Sequence, residues 1–95
     1  MKVKIHTILS FKEIMGARDV EMDVSQKATV GELLAAMVER WGEALSSRLF
    51  YPESDRVLSS VVLMVNGRSI QFINGLDTVL FEGDEVLLLP PAAGG

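Results

Sequence analysis

Residues 2–10 alternate between apolar and polar positions, with Val3, Ile5, Thr7 and Leu9 on one side and Lys2, Lys4, His6, Ile8 and Ser10 on the other. A period of two predicts a β-strand, its first set turned to a core and Ile8 the odd member of the second. Phe11 to Met15 mix apolar and polar positions and stop at Gly16, which can reverse the chain with φ > 0. Val20, Met22 and Val24 then alternate with Glu21 and Asp23, predicting a second strand antiparallel to the first.

The next pattern changes period. Val30, Leu33, Leu34, Met37, Val38 and Trp41 form one apolar stripe at helical spacing. Thr29-Val30-Gly31-Glu32 has capping-box form, in which Thr29 and Glu32 satisfy each other's backbone donors. Gly42 follows, as a left-handed helix cap requires. The spacing predicts a helix over 30–41. Within 43–60, Leu45, Leu49 and Phe50 suggest a short helical turn, and Pro52-Glu53-Ser54-Asp55 a loop. Val61 to Val65 reads as a buried strand closed by Asn66-Gly67, the favoured dipeptide of a type I′ hairpin turn. Arg68 to Phe72 is the expected partner strand. After turns at Asn74-Gly75-Leu76-Asp77 and Glu82-Gly83-Asp84, Val86 to Leu89 is the last strand, ended by Pro90-Pro91. The order implies an α+β fold, a mixed sheet with one main helix across one face. The domain spans 1–89, with a tail over 90–95.

Ninety-five residues, 48% of them hydrophobic, allow one domain with one core. With no Cys, there is no disulfide framework, thiolate metal site or cysteine nucleophile. This fits a cytoplasmic setting. A single histidine, His6, excludes a multi-histidine metal site. The net charge of −4 argues against nucleic-acid binding through phosphates. No apolar run approaches the roughly 18 residues of a membrane span. His6 is expected to stand solvated on its strand. The acidic group Asp77, Glu82, Asp84 and Glu85 is explained by turns, and no metal site is expected. Trp41 and the methionines read as core. Phosphate-loop, dinucleotide and nucleophile-elbow motifs are missing, so nothing suggests an autonomous active site.

Two features stand out. The sequence ends Pro90-Pro91-Ala92-Ala93-Gly94-Gly95. Two prolines stiffen the exit from the sheet, and six extended residues reach about 20 Å. Gly94 and Gly95 lack Cβ atoms and fit a narrow channel. The reactive group at the end would be the α-carboxylate, inert until activated. Second, Val86, Leu87, Leu88 and Leu89 leave the last strand no polar face. One helix covers one side only; either the segment 43–60 covers the other, or an apolar patch faces a partner.

Together these residues resemble the β-grasp (ubiquitin-like) sulfur carriers, which include the small subunit of molybdopterin synthase and the thiamine-pathway carrier. The resemblance is carried by Val65-Asn66-Gly67, Gly75-Leu76-Asp77-Thr78-Val79-Leu80, Glu82-Gly83-Asp84-Glu85-Val86, Leu89-Pro90-Pro91 and Gly94-Gly95. Lys12-Glu13-Ile14-Met15-Gly16 and Thr29-Val30-Gly31-Glu32-Leu33 extend it toward the N-terminus. The two-proline tail looks more like the molybdopterin branch.

The resemblance implies a β-grasp fold with the first and last strands as central neighbours. It implies a carrier rather than an enzyme, with no tightly bound cofactor. An adenylating enzyme of the ubiquitin-activating class would activate the Gly95 carboxylate with ATP. A persulfide-derived sulfur would displace AMP and leave a C-terminal thiocarboxylate. Ala92, Ala93, Gly94 and Gly95 would thread the active site of the molybdopterin synthase large subunit. Molybdenum or tungsten would be the eventual metal of the cofactor. Ile8, Leu87 and Leu89, with Pro90 and Pro91, would form the docking patch at the root of the tail. A protein modifier joined to lysines through Gly95 uses the same fold and tail. A β-grasp interaction domain with an incidental tail is the third reading.

Overall fold

The computed structural model describes residues 1–90. Five strands form one mixed sheet: β1 (Lys2–Thr7), β2 (Asp19–Asp23), β3 (Val62–Val65), β4 (Arg68–Ser69) and β5 (Glu85–Leu89), in the order β2-β1-β5-β3-β4. Three helices accompany it: α1 (Leu9–Met15), α2 (Val30–Trp41) and α3 (Glu43–Leu49). β1 and β5 are parallel central neighbours, with His6 opposite Leu87 and Thr7 opposite Leu88. This is the expected β-grasp arrangement.

The helix α2 has the predicted bounds. Glu32 N–H donates to Thr29 Oγ1 at 3.1 Å, and Thr29 N–H donates to Glu32 Oε1 at 3.0 Å. Val30, Leu33, Leu34 and Met37 are almost fully buried. Each contributes about 1.5–3 kcal/mol of transfer free energy. Gly31, a poor helix former, has a packing reason: a Cβ there would lie 3.3 Å from the Leu76 carbonyl oxygen. Trp41 is only half-buried, with the Arg40 guanidinium 4.5 Å from its ring centre.

Four expectations are corrected. The first strand ends at Thr7. Beyond it the chain turns into α1, because Phe11 and Met15, spaced i, i+4, find burial on one helix face. Leu9, expected in the core, adopts φ 54° and is 59% exposed. Gly42 has the positive φ (72°) but an extended ψ (−156°), so it joins α2 directly to α3 rather than capping in the left-handed region. The expected helical turn after it is the seven-residue α3, anchored by buried Leu45 and Leu49. Arg68–Ser69 alone pairs with β3; Ile70–Phe72 forms a 3-10 turn that buries Ile70. Asn66 (φ 49°) and Gly67 (φ 84°) supply the two positive φ angles of the expected hairpin turn.

The helix face of the sheet contributes Val3 and Ile5 from β1, Met22 from β2, Leu63 and Val65 from β3, and Val86 and Leu88 from β5 to one buried cluster. Among the described residues, no helix lies on the opposite face of the sheet. α3 packs against α2 and α1 instead.

Candidate docking face

The open face follows from register. Residues paired across strands point the same way. One row reads Asp19, His6, Leu87, Met64 and Ser69 across all five strands. The next row toward the N-terminal end of β5 is Glu21, Lys4 and Glu85. Toward its C-terminal end, Leu89 lies opposite Val62. The face is therefore split. It is apolar over β5 and β3, where the chain leaves the sheet, and charged over β2 and β1.

Leu87, Leu89 and Met64 are half-buried, and Val62 is 41% exposed. Ile8 stands one residue past the Thr7–Leu88 pair, level with Leu89, in extended backbone and 41% exposed. The segment 43–60 does not bury this patch. Pro90, expected within the docking patch, is instead buried. Pro91, Ala92, Ala93, Gly94 and Gly95 lie outside the described residues.

Val62 and Met64 were missing from the sequence-derived patch. A run of five apolar residues, Val61 to Val65, reads as buried on both sides. In the sheet it alternates: Val61, Leu63 and Val65 are buried, and Val62 and Met64 face out. The available signal was the last strand itself, because a strand with no polar face needs apolar row-mates.

Thr7 fixes the root of the tail. Its side chain is fully buried, and its hydroxyl donates to the Leu88 carbonyl at 2.5 Å, bridging β1 to β5 one residue before Leu89. At the other end of β5, Asp84 accepts from Phe81 N–H (2.8 Å) and Asn66 Nδ2 (2.9 Å), and Asn66 Oδ1 accepts from Glu85 N–H (3.0 Å). Asp84 thus serves as a turn clasp, as its sequence setting suggests.

His6 is more engaged than a solvated strand histidine. Nδ1 contacts Asp19 Oδ1, and Nε2 lies 2.9 Å from Glu85 Oε1. These two hydrogen bonds, Asp19 first, raise its pKa above the ordinary 6.5. Among the described residues, no group of three or more His, Asp or Glu is arranged to hold a metal ion.

A sequence profile of the ThiS family matches residues 10–95. The chain belongs to the ThiS family. Small archaeal modifier protein 3 of Haloferax volcanii is 32% identical over 95 residues, covering 100% of both chains. The sulfur carrier protein CysO of Mycobacterium tuberculosis is 34% identical over 68 residues, covering 70% of this chain and 72% of that one. The crystal structure of SAMP1 from Haloferax volcanii superposes with a TM-score of 0.85 and 30% identity, covering 100% of each chain. This ThiS-family chain is thus a small ubiquitin-like protein of the sulfur-carrier and archaeal-modifier group. No helix among the described residues is long and apolar enough to cross a membrane.

Proposed function

We propose that this chain is a cytoplasmic sulfur carrier that docks through the apolar end of its open face and presents Gly95 to partner enzymes. The observation that carries this reading is the placement of Val62, Met64, Leu87 and Leu89 at the end of β5 from which the tail departs. A partner gripping there would hold the chain next to Pro90, beyond which five residues could span at most about 17 Å.

In the reaction, the Gly95 carboxylate attacks the α-phosphate of ATP on an adenylating enzyme. Pyrophosphate leaves and an acyl adenylate forms. A persulfide sulfur then attacks the acyl carbon and AMP leaves. Reduction of the remaining S–S bond by a thiol frees the thiocarboxylate. The chain itself supplies no acid, base or metal to these steps; it supplies the carboxylate, its reach and the docking surface. The proposed partner is the large subunit of a molybdopterin synthase, with a cyclic pyranopterin precursor as the sulfur acceptor; Leu89-Pro90-Pro91 and Gly94-Gly95 supply the resemblance. Ala92 and Ala93, with the glycines, would thread its active site.

A second reading has its own support. The full-length match to a protein named as a modifier favours transfer of the activated Gly95 acyl group to lysines. Intact-mass analysis of the chain from its native host separates the two. Replacement of one Gly95 oxygen by sulfur is the result expected of a carrier. Gly-Gly remnants on target lysines, with no sulfur on Gly95, would overturn it.

A further inference from the structure

The charged half of the open face adjoins the apolar half through one residue. His6 shares its cross-strand row with Leu87 and Met64, and each of its ring nitrogens meets a different carboxylate, Asp19 on edge strand β2 and Glu85 on central strand β5. Proton counting constrains this arrangement. A neutral imidazole has one N–H donor and one lone pair, whereas the imidazolium has two donors. An ionised carboxylate only accepts. Both contacts are hydrogen bonds only when both ring nitrogens carry protons. In the neutral ring, one nitrogen lone pair would face a carboxylate oxygen, and that contact must open.

We propose that His6 is a proton-controlled latch on the docking face: doubly protonated, it ties Asp19 and Glu85 across β2, β1 and β5, and on losing a proton it releases a carboxylate beside Leu87, weakening the hold on an apolar partner. The affinity part rests on the docking reading above; the latch itself does not. The other charged groups on this face beside His6 are Lys4, two residues away on β1, and Glu21, the row-mate of Lys4 on β2. Lys2 is engaged 3.9 Å from Glu21. Lys4 is the cation nearest a released Glu85 in register, but it lies in the adjoining row and does not cover Leu87. With the latch closed, His6, Asp19 and Glu85 together carry one net negative charge; open, they carry two. Adding charge at the rim of an apolar contact raises the cost of removing water there.

The test has two arms. In the first, side-chain ¹⁵N NMR follows His6 in the isolated chain. The expected result is that both ring nitrogens stay protonated above pH 6.5, and that an Asp19→Asn/Glu85→Gln double variant moves the midpoint down toward the ordinary value. An unchanged midpoint in the double variant overturns the latch. In the second, binding to the adenylating enzyme of the same organism is measured across the His6 titration. Affinity should fall about fivefold as pH rises in the wild type and stay flat in His6→Gln. Wild-type binding that is flat or tightens with pH overturns the inference and leaves the docking reading standing. Failure of wild-type chain to bind at any pH overturns the docking reading and, with it, the affinity part.

Discussion

The two sides of β5 carry the same kind of side chain and meet opposite fates. Val86 and Leu88 are 1% and 0% exposed under the helices, whereas Leu87 and Leu89, one position away, are half-buried on the open face. The difference is one of coverage. The first pair lies in one buried cluster with the α2 residues and the α3 leucines, and nothing in the chain's described residues closes over the second. An apolar residue is structural on one side and available for contact on the other. The comparison breaks most visibly at Leu88. Leu88→Ala removes a fully buried side chain and should cost about 3 kcal/mol of stability, read from urea unfolding. A loss below about 1 kcal/mol would mean that the helix face is not the tightly packed one.

The same strand sharpens the contrast from its other side. Leu89→Asp should leave the isolated domain folded, with a cooperative unfolding transition, while weakening binding to the adenylating enzyme or the large subunit at least about tenfold. Unfolding of the variant would show that Leu89 belongs to the core and that the docking reading is wrong. Val62→Asp extends the test to β3. A smaller loss of affinity, about threefold, is expected from a residue farther from the centre of the patch, and no loss would confine the patch to β5.

Legibility in the sequence followed the same division. The bounds of helix α2 were readable to the residue, because its N-terminal capping box and its apolar stripe agree locally, although Gly42 ends it without the expected left-handed cap. Leu87 and Leu89 were readable because a strand without a polar face is anomalous under a single helix. The failures lie where tertiary burial overrides a local period. Leu9 continues the strand alternation, yet Phe11 and Met15 draw the chain into α1. Val62 and Met64 vanish into an apolar run whose two sides only the register separates. The link from His6 to Asp19 and Glu85 spans 13 and 79 residues, so no local pattern contains it. The fold and the open-face placement of Leu87 and Leu89 were thus legible; the outward placement of Val62 and Met64 and the contacts of His6 were not.

A smaller effect is expected where the two faces meet at the tail root. Thr7 is a polar residue on the apolar side, and its hydroxyl serves the Leu88 carbonyl. Thr7→Val keeps the shape and removes that donor, which should cost about 1 kcal/mol in urea unfolding. Thr7→Ser keeps the donor but loses a methyl group. If the valine variant is as stable as the wild type while the serine variant is not, Thr7 acts through its methyl group and the bridge contributes nothing.

The smallest effect is the one that titrates. The buried helix face holds no ionisable side chain, so a pH dependence of stability near neutrality must come from elsewhere. His6 is the main candidate, with its folded pKa raised above 6.5 by Asp19 and Glu85. A raised folded pKa means that the folded state binds the proton more tightly than the unfolded state. The stabilisation is therefore complete below the unfolded value and is lost as pH rises through the folded one. Among the described residues Tyr51 is shifted as well, lowered by its hydrogen bonding with Ser59, and it works in the opposite direction, adding stability nearer the phenol's own range. Urea midpoints measured from pH 6 to about 8 should thus fall in the wild type and change less in His6→Gln. A midpoint that rises over this window, or a slope unaltered by His6→Gln, would mean that the carboxylates do not hold the ring. The open face would then be as indifferent to pH as the core beneath it.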